Sequence, residues 1–176
     1  PAEYFEEALV IGNGTMRATL YGGVKKDKIS FNDITLWTGE PESENSSPDA
    51  FNVIPEIRAL LDNEDYEGAD KAQYKVQGHY SENYQPLGTL TIEYLDDTAG
   101  ISDYHRWLDI GNATARTQYL KDGKLFTSDY FASAPDSVIV IRLKSENKKG
   151  IHALLSFDSP LPHSSQVADN EISVEG

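Results

Sequence analysis

A mainly β fold, an antiparallel sandwich carrying a helical hairpin insertion around residues 50–77, is predicted by three observations. Apolar and polar residues alternate with period two along much of the 176-residue chain, as they do in strands with one wet face. Glycine, proline and Asp-Gly turn signals interrupt the later runs at intervals of ten to thirteen residues, the spacing of short strands in a sandwich. One stretch, Ser43 to Gly78, changes to a helical repeat.

From Glu7 to Leu36 the chain reads as short strands joined by glycine turns. Ile11-Gly12-Asn13-Gly14 and Gly22-Gly23 offer positive-φ positions, with Met16 to Tyr21 and Lys28 to Phe31 as strands between and after them. Ser46-Ser47-Pro48-Asp49 is a loop ending in a helix cap. After it Val53, Ile54, Ile57, Leu60 and Leu61 recur at helical spacing, with Pro55 placed in the first turn. A second helix fits Glu64 to Val76, its apolar side being Tyr66, Ala69, Gln73 and Val76, and Gly78 stops it. The apolar stripe of this hairpin is expected to pack over a sheet.

From Tyr84 onward the period returns to two: Leu90, Ile92 and Tyr94 alternate with Thr89, Thr91 and Glu93. Strands fit Tyr104 to Asp109, Ala113 to Leu120, Leu125 to Ala132, Ser137 to Leu143 and Ile151 to Phe157. Lys121-Asp122-Gly123-Lys124 is a hairpin signal, because Asp-Gly supplies the two positive-φ residues of a type I′ turn. Pro160 to Gln166 reads as a polar, proline-broken tail, and Glu171-Ile172-Ser173-Val174 starts a strand just before the chain ends. The expected organisation is a single sandwich domain over residues 1–176, incomplete at its C-terminus. A chain of this size can bury about two-thirds of its unfolded surface.

Composition narrows the partners. The net charge of −14 sets nucleic acid aside, since that affinity comes from Lys and Arg neutralising phosphates. With no cysteine there is no disulfide frame, thiolate metal site or Cys nucleophile. No run of about 20 apolar residues could cross a membrane as a helix. The chain opens at Pro1-Ala2-Glu3 without a basic and apolar leader; if a secretion signal has been removed, a periplasmic or extracellular location is favoured.

Few residues point to chemistry. His79, His105, His152 and His163 show no short-range ligand spacing, so no metal site or cofactor is expected. Gly-x-Ser-x-Gly is absent, and Gly12-Asn13-Gly14 runs into a strand, unlike a phosphate loop. Glycoside hydrolysis needs two carboxyl groups across a sugar ring; Asp33, Glu40, Glu82 and Glu93 lie near aromatics, but spacing alone pairs none of them. The better signal is aromatic. Trp37 with Glu40, and His79-Tyr80 leading to Asn83-Tyr84-Gln85, put planar faces beside carboxyl and amide groups, the mixture with which pockets hold polyols; the alternative is that Trp37 and Tyr84 pack between the helical hairpin and the sheet, near a domain junction. Trp107 is expected to be buried on one sheet face. Asn13-Gly14-Thr15, Asn45-Ser46-Ser47 and Asn112-Ala113-Thr114 match the short N-glycosylation pattern.

Several blocks, in order, resemble the amino-terminal domain of glycoside hydrolase family 95: Glu7-Ala8-Leu9-Val10-Ile11-Gly12-Asn13-Gly14, Leu20-Tyr21-Gly22-Gly23, Phe31-Asn32-Asp33 through Thr35-Leu36-Trp37-Thr38-Gly39-Glu40-Pro41, and Tyr84-Gln85-Pro86-Leu87-Gly88. Tyr104-His105-Arg106-Trp107-Leu108-Asp109, Tyr130-Phe131-Ala132-Ser133 and Asp136 to Leu143 continue the order, so the resemblance runs from about Glu6 to Pro160. Val10 stands where relatives commonly carry proline, and Thr15-Met16-Arg17-Ala18 replaces a smaller, glycine-containing stretch. The resemblance implies an inverting α-L-fucosidase whose catalytic carboxyls lie in a later (α/α)₆ barrel, on which a β supersandwich like this one packs. It therefore assigns no catalytic residue here. Its implied partners are the barrel of the same polypeptide and, for the full-length enzyme, a fucosylated glycan. Two further readings stay open: an independent carbohydrate-binding module using Trp37 and Tyr84, and a mutarotase-like enzyme, which would need a His and a Glu facing one pocket. An incomplete sandwich would also leave open sheet edges through which two copies could dimerise.

Overall fold

The computed structural model describes residues 1–39, 50–78 and 82–176. Glu40, His79 and Tyr80 of the sequence reading lie outside the described residues, as does the cap at Asp49. The chain divides into two compact units, Pro1–Leu36 with Gln85–Gly176, and Trp37–Tyr84.

The larger unit is a β-sandwich. One antiparallel sheet orders β1 (Leu9–Gly12), β2 (Met16–Leu20), β3 (Lys26–Asp33), β4 (Gly88–Tyr94) and β9 (Ala153–Asp158) as β1-β2-β3-β4-β9. The other is a meander of β5 (Ile101–Asp109), β6 (Thr114–Lys121), β7 (Lys124–Ser133) and β8 (Val138–Ser145). At the β6–β7 turn Asp122 and Gly123 have φ of 51° and 73°, the backbone the Asp-Gly pair predicts. The core is the meeting of the two inner faces: Ile11, Ala18, Leu20, Ile29, Ile92 and Tyr94 from the first sheet against Ala115, Tyr119, Phe126 and Tyr130 from the second. Burial of the Leu, Ile and Phe side chains among them contributes about 1.5–3 kcal/mol each.

Polar contacts reach from the second sheet to the first. Tyr104 Oη donates to the Gly22 carbonyl at 2.8 Å, and Arg106 donates to the carbonyls of Tyr21 (2.9 Å) and Glu7 (2.7 Å). Gly22 must lack a side chain here: at φ 68° its Cβ would lie 2.8 Å from Arg106 Cδ and 2.9 Å from Tyr104 Oη. Asn13 Nδ2 donates to the Ser133 carbonyl at 2.9 Å. Blocks far apart in the chain, Leu20 to Gly23 with Tyr104 to Arg106, and Gly12 to Gly14 with Tyr130 to Ser133, are therefore the two sides of the same clamps.

At β9 the first sheet outruns its cover. Leu155 pairs with Ile92, and Phe157 with Leu90, so both point to the core side. Yet Leu155 is 47% exposed, and Leu154 on the other face is 58% exposed. Phe157 stacks on Phe31 at 6.4 Å, across Gly88 of the strand between them. Any Cβ at Gly88 (φ 153°) would fall 2.4 Å from the Phe157 ring and 2.6 Å from the Asp158 carbonyl.

Several expectations are corrected. Ser164–Ala168 is a strand, β10, hairpinned to β11 (Glu171–Glu175), where the proline-broken tail predicted none; the prolines end before it, so nothing removes its hydrogen bonds. The last sandwich strand begins at Ala153, which leaves His152 outside it.

The helical unit, taken by itself, holds α1 (Ala50–Asp62), α2 (Tyr66–Gln73) and a 3₁₀ turn at Tyr74–Val76. Asp65 caps α2, its carboxylate accepting the Gly68 N–H at 2.9 Å. Pro55 stands in the second turn of α1, not the first. Of the predicted stripe Val53, Ile57 and Leu60 are half-buried and Ile54 and Leu61 exposed, because the small Ala69 and Ala72 supply the buried side of this pair.

Candidate functional site

The two aromatics singled out in the sequence meet in the helical unit. Asp33 starts the approach: its carboxylate accepts the Thr35 N–H (2.9 Å) and hydroxyl (2.6 Å), a turn of the kind Asp favours. In the sandwich unit Gln85 N donates to the Leu36 carbonyl at 3.0 Å. One residue further in, Trp37 and Tyr84 form an antiparallel bridge. Their rings stand edge to face, 5.6 Å apart at 75°, an arrangement worth about 0.5–1.5 kcal/mol beyond burial. Thr38 N then donates to the Asn83 carbonyl at 2.8 Å, and Asn83 N donates to Thr38 Oγ1 at 2.9 Å.

The pair is open to solvent. Trp37 is 51% and Tyr84 40% exposed, which leaves planar apolar faces beside the polar groups of Thr38, Glu82 and Asn83. Glu82 meets the residue after Trp37. The Thr38 hydroxyl donates to its carboxylate, and Gly39 (φ 69°) packs where a Cβ would strike it. Gln85 contributes through its backbone and is half-buried.

This arrangement suits holding a ring more than breaking a bond. Asp33 is held below the usual carboxylate range by its Thr35 hydrogen bonds, so it stays ionised and is a poor proton donor. Glu82 is engaged by Thr38, and Glu93 sits on the outer face of β4 between Lys26 and Leu154. Among the described residues no cluster of three or more His, Asp or Glu could hold a metal ion.

Two polar constellations escaped sequence reasoning. Asp27 is 1% exposed; its carboxylate accepts Tyr130 Oη at 2.6 Å and the Gly23 N–H at 2.9 Å. Burial pushes its pKa up and the hydrogen bonds only partly offset that. Gly23 suits the tight turn over it, since a Cβ there would lie 1.9 Å from the Lys26 carbonyl. The signal was present: Asp27 is in phase with Ile29 along β3. The second constellation lies on the outer face of the four-stranded sheet. Trp107, Arg116, Asp129 and Arg142 stand in one cross-strand row. Asp129 accepts Nε of Arg116, and it accepts Nε (3.1 Å) and Nη2 (2.7 Å) of Arg142. Trp107 is thus not buried as predicted: it is 39% exposed, with the Arg116 guanidinium 5.7 Å from its ring centre.

The family model described as "Glycosyl hydrolase family 65, N-terminal domain" matches residues 1–176. Alpha-L-fucosidase 2 of Arabidopsis thaliana is 32% identical over 168 residues, covering 94% of this chain and 20% of that protein. Probable alpha-fucosidase A of Aspergillus oryzae is 26% identical over 145 residues, covering 79% of this chain and 20% of its own length. The Aspergillus niger protein of the same name is 29% identical over 154 residues, with coverages of 83% and 19%. The chain therefore spans about a fifth of the length of these relatives.

Proposed function

The chain belongs to the glycosyl hydrolase family 65 N-terminal domain family, and from that premise we propose that it is the accessory β-sandwich of an α-L-fucosidase-type glycoside hydrolase of the family 95 kind. In this reading it is catalytically inert alone. It packs on an (α/α)₆ barrel of the same polypeptide, which carries the acid and the base for inverting hydrolysis of terminal fucosides. The names of the relatives and the ordered blocks from Glu6 to Pro160 support the substrate class.

The observation that carries the accessory role is the uncovered inner face at β9. Leu155 points into the sandwich yet is 47% exposed. Beside Phe157 an apolar groove of about 360 Å³ opens between Leu36, Leu87, Leu161, Ile172 and Val174. Apolar surface of this kind in a soluble domain marks a place where further protein sits. The experiment compares this chain with a longer polypeptide that carries the region following it in its relatives. Hydrolysis of an aryl α-L-fucoside is expected only from the longer protein, and Leu155→Lys in that protein should lower its thermal transition more than it does in the isolated chain. Fucoside hydrolysis by the isolated chain, or an equal effect of Leu155→Lys in both, would refute the reading.

A second reading, glycan binding by the chain itself, draws on the exposure of Trp37 and Tyr84. It predicts that a fucosylated oligosaccharide binds the isolated chain and that Trp37→Ala removes the binding without moving the thermal transition.

A further inference from the structure

The outer face of the four-stranded sheet carries Arg116, Arg142 and Lys144 against Asp109 and Asp129, a small local excess of positive charge in a chain whose net charge is −14. Its rows present His105, Gln118, Thr127 and Lys144, then Trp107, Arg116, Asp129 and Arg142, then Asp109, Thr114, Phe131 and Val140. Neither carboxylate on it is idle. Asp109 accepts the Asn112 N–H and side-chain amide at 3.1 and 2.7 Å. Asp129, with only 10% of its side chain exposed, is clasped by both arginines.

That clasp fixes the guanidiniums without exhausting them. Arg116 engages Asp129 through Nε alone, and Arg142 through Nε and Nη2. Among the described residues the Nη groups of Arg116 and Nη1 of Arg142 donate no hydrogen bond, while the two side chains are 41% and 54% exposed. Pre-oriented forks with donors left over suit a planar carboxylate. Trp107, with the Arg116 guanidinium over its ring, lies in the same row and Phe131 in the next, 39% and 37% exposed; the exposed part of each ring suits contact with a pyranose.

We propose that this face is a binding surface for a carboxylated glycan, one uronate held by Arg116 and Arg142 while a neighbouring ring rests on Trp107. Lys144 and His105, one row along, extend the contact. The overall charge repels any polyanion, so binding must come from this local set and not from the molecule's general field. The proposal does not depend on the fucosidase reading, because the surface belongs to the sandwich unit alone.

Titration calorimetry on the isolated chain tests it, with an oligogalacturonate as ligand, the corresponding neutral galactan oligosaccharide and poly-L-glutamate as controls. The uronate should bind at least about tenfold more tightly than either control. Arg142→Gln should weaken it about tenfold or more, the loss of a charged hydrogen-bond pair, and Trp107→Ala should also weaken it. Arg142→Lys keeps the charge but not the fork and should lose most of the affinity too. Lys28→Ala removes the same charge from the other sheet and should change nothing. No uronate binding, equal binding of polyglutamate, or equal weakening by Lys28→Ala would each overturn the proposal. Melting curves of the variants separate lost binding from lost fold.

Discussion

Replacing Tyr130 by Phe removes one oxygen from the centre of the sandwich and little else. Tyr130 is 1% exposed, and its hydroxyl donates at 2.6 Å to Asp27, itself 1% exposed. No cavity larger than an oxygen atom results, so the packing term is small. What is lost is a buried hydrogen bond to a charged acceptor, about 1.5–3 kcal/mol, which for a domain of this size lowers Tm by roughly 4–10 °C. The pH dependence carries a second, sharper expectation. Asp27 has its pKa raised by burial above the unfolded value of 3.8, against the pull of its hydrogen bonds. A carboxyl raised in the folded state holds its proton more tightly there, so it lowers stability as pH rises from about 3.8 through the folded pKa. The Phe variant loses a bond that favours the ionised form, so its Asp27 pKa rises further. The gap between variant and parent is therefore full at pH 7 and narrows toward about 0.5–1.5 kcal/mol, the worth of a neutral hydrogen bond, as the pH falls through both folded pKa values. Urea unfolding at pH 7 and at pH 3.8, the unfolded value, measures both. Equal stability at pH 7, or a gap that widens in acid, would refute the picture of an ionised Asp27 held by Tyr130.

Gly88→Ala should destabilise the sandwich by about 1–3 kcal/mol, because the new methyl meets the Phe157 ring and the Asp158 carbonyl; a double variant with Phe157→Ala should recover part of the loss in thermal unfolding. Asp129→Asn should cost about 1–3 kcal/mol at pH 7. Burial works against ionisation of Asp129, but the hydrogen bonds and charges of Arg116 and Arg142 outweigh it and hold its pKa below 3.8. Its contribution is thus present above that value and lost as pH falls through the folded pKa, so parent and variant should converge in acid below pH 3.8. Gly22→Ala should weaken the clamp to Tyr104 and Arg106, with a lower unfolding midpoint and faster amide exchange at Ala2, whose N–H donates to the Tyr21 carbonyl at 2.8 Å.

Period-two alternation, the Asp122-Gly123 turn and the helical spacing after residue 50 were enough to draw the sandwich and its insertion, because each is a short-range property of the backbone. The site was legible only in part. Trp37 and Tyr84 could be singled out as aromatics near turns, but their exposure and their meeting could not, since the meeting needs the chain to leave the sandwich, form two helices and return. The contact of Thr38 with Glu82, 44 residues apart, was not local information either.

The sequence by itself determined where the helices, most of the sandwich strands and the Asp122-Gly123 turn fall, since steric and propensity rules act over a few residues. The tertiary structure alone decided which side of β5 is inside. In β5 the core side carries Tyr104, Arg106 and Leu108 and the outer side His105, Trp107 and Asp109, two faces of nearly equal polarity. A register shift between Ser102 and His105, with Asp103 at φ 50°, sets the phase. One residue of slip would turn every side chain over, so Trp107 is placed at the surface by pairing with β6 and not by its own neighbours. The same holds for Asp27 and Tyr130, 103 residues apart: only the stacking of two sheets puts a buried carboxyl under a phenol.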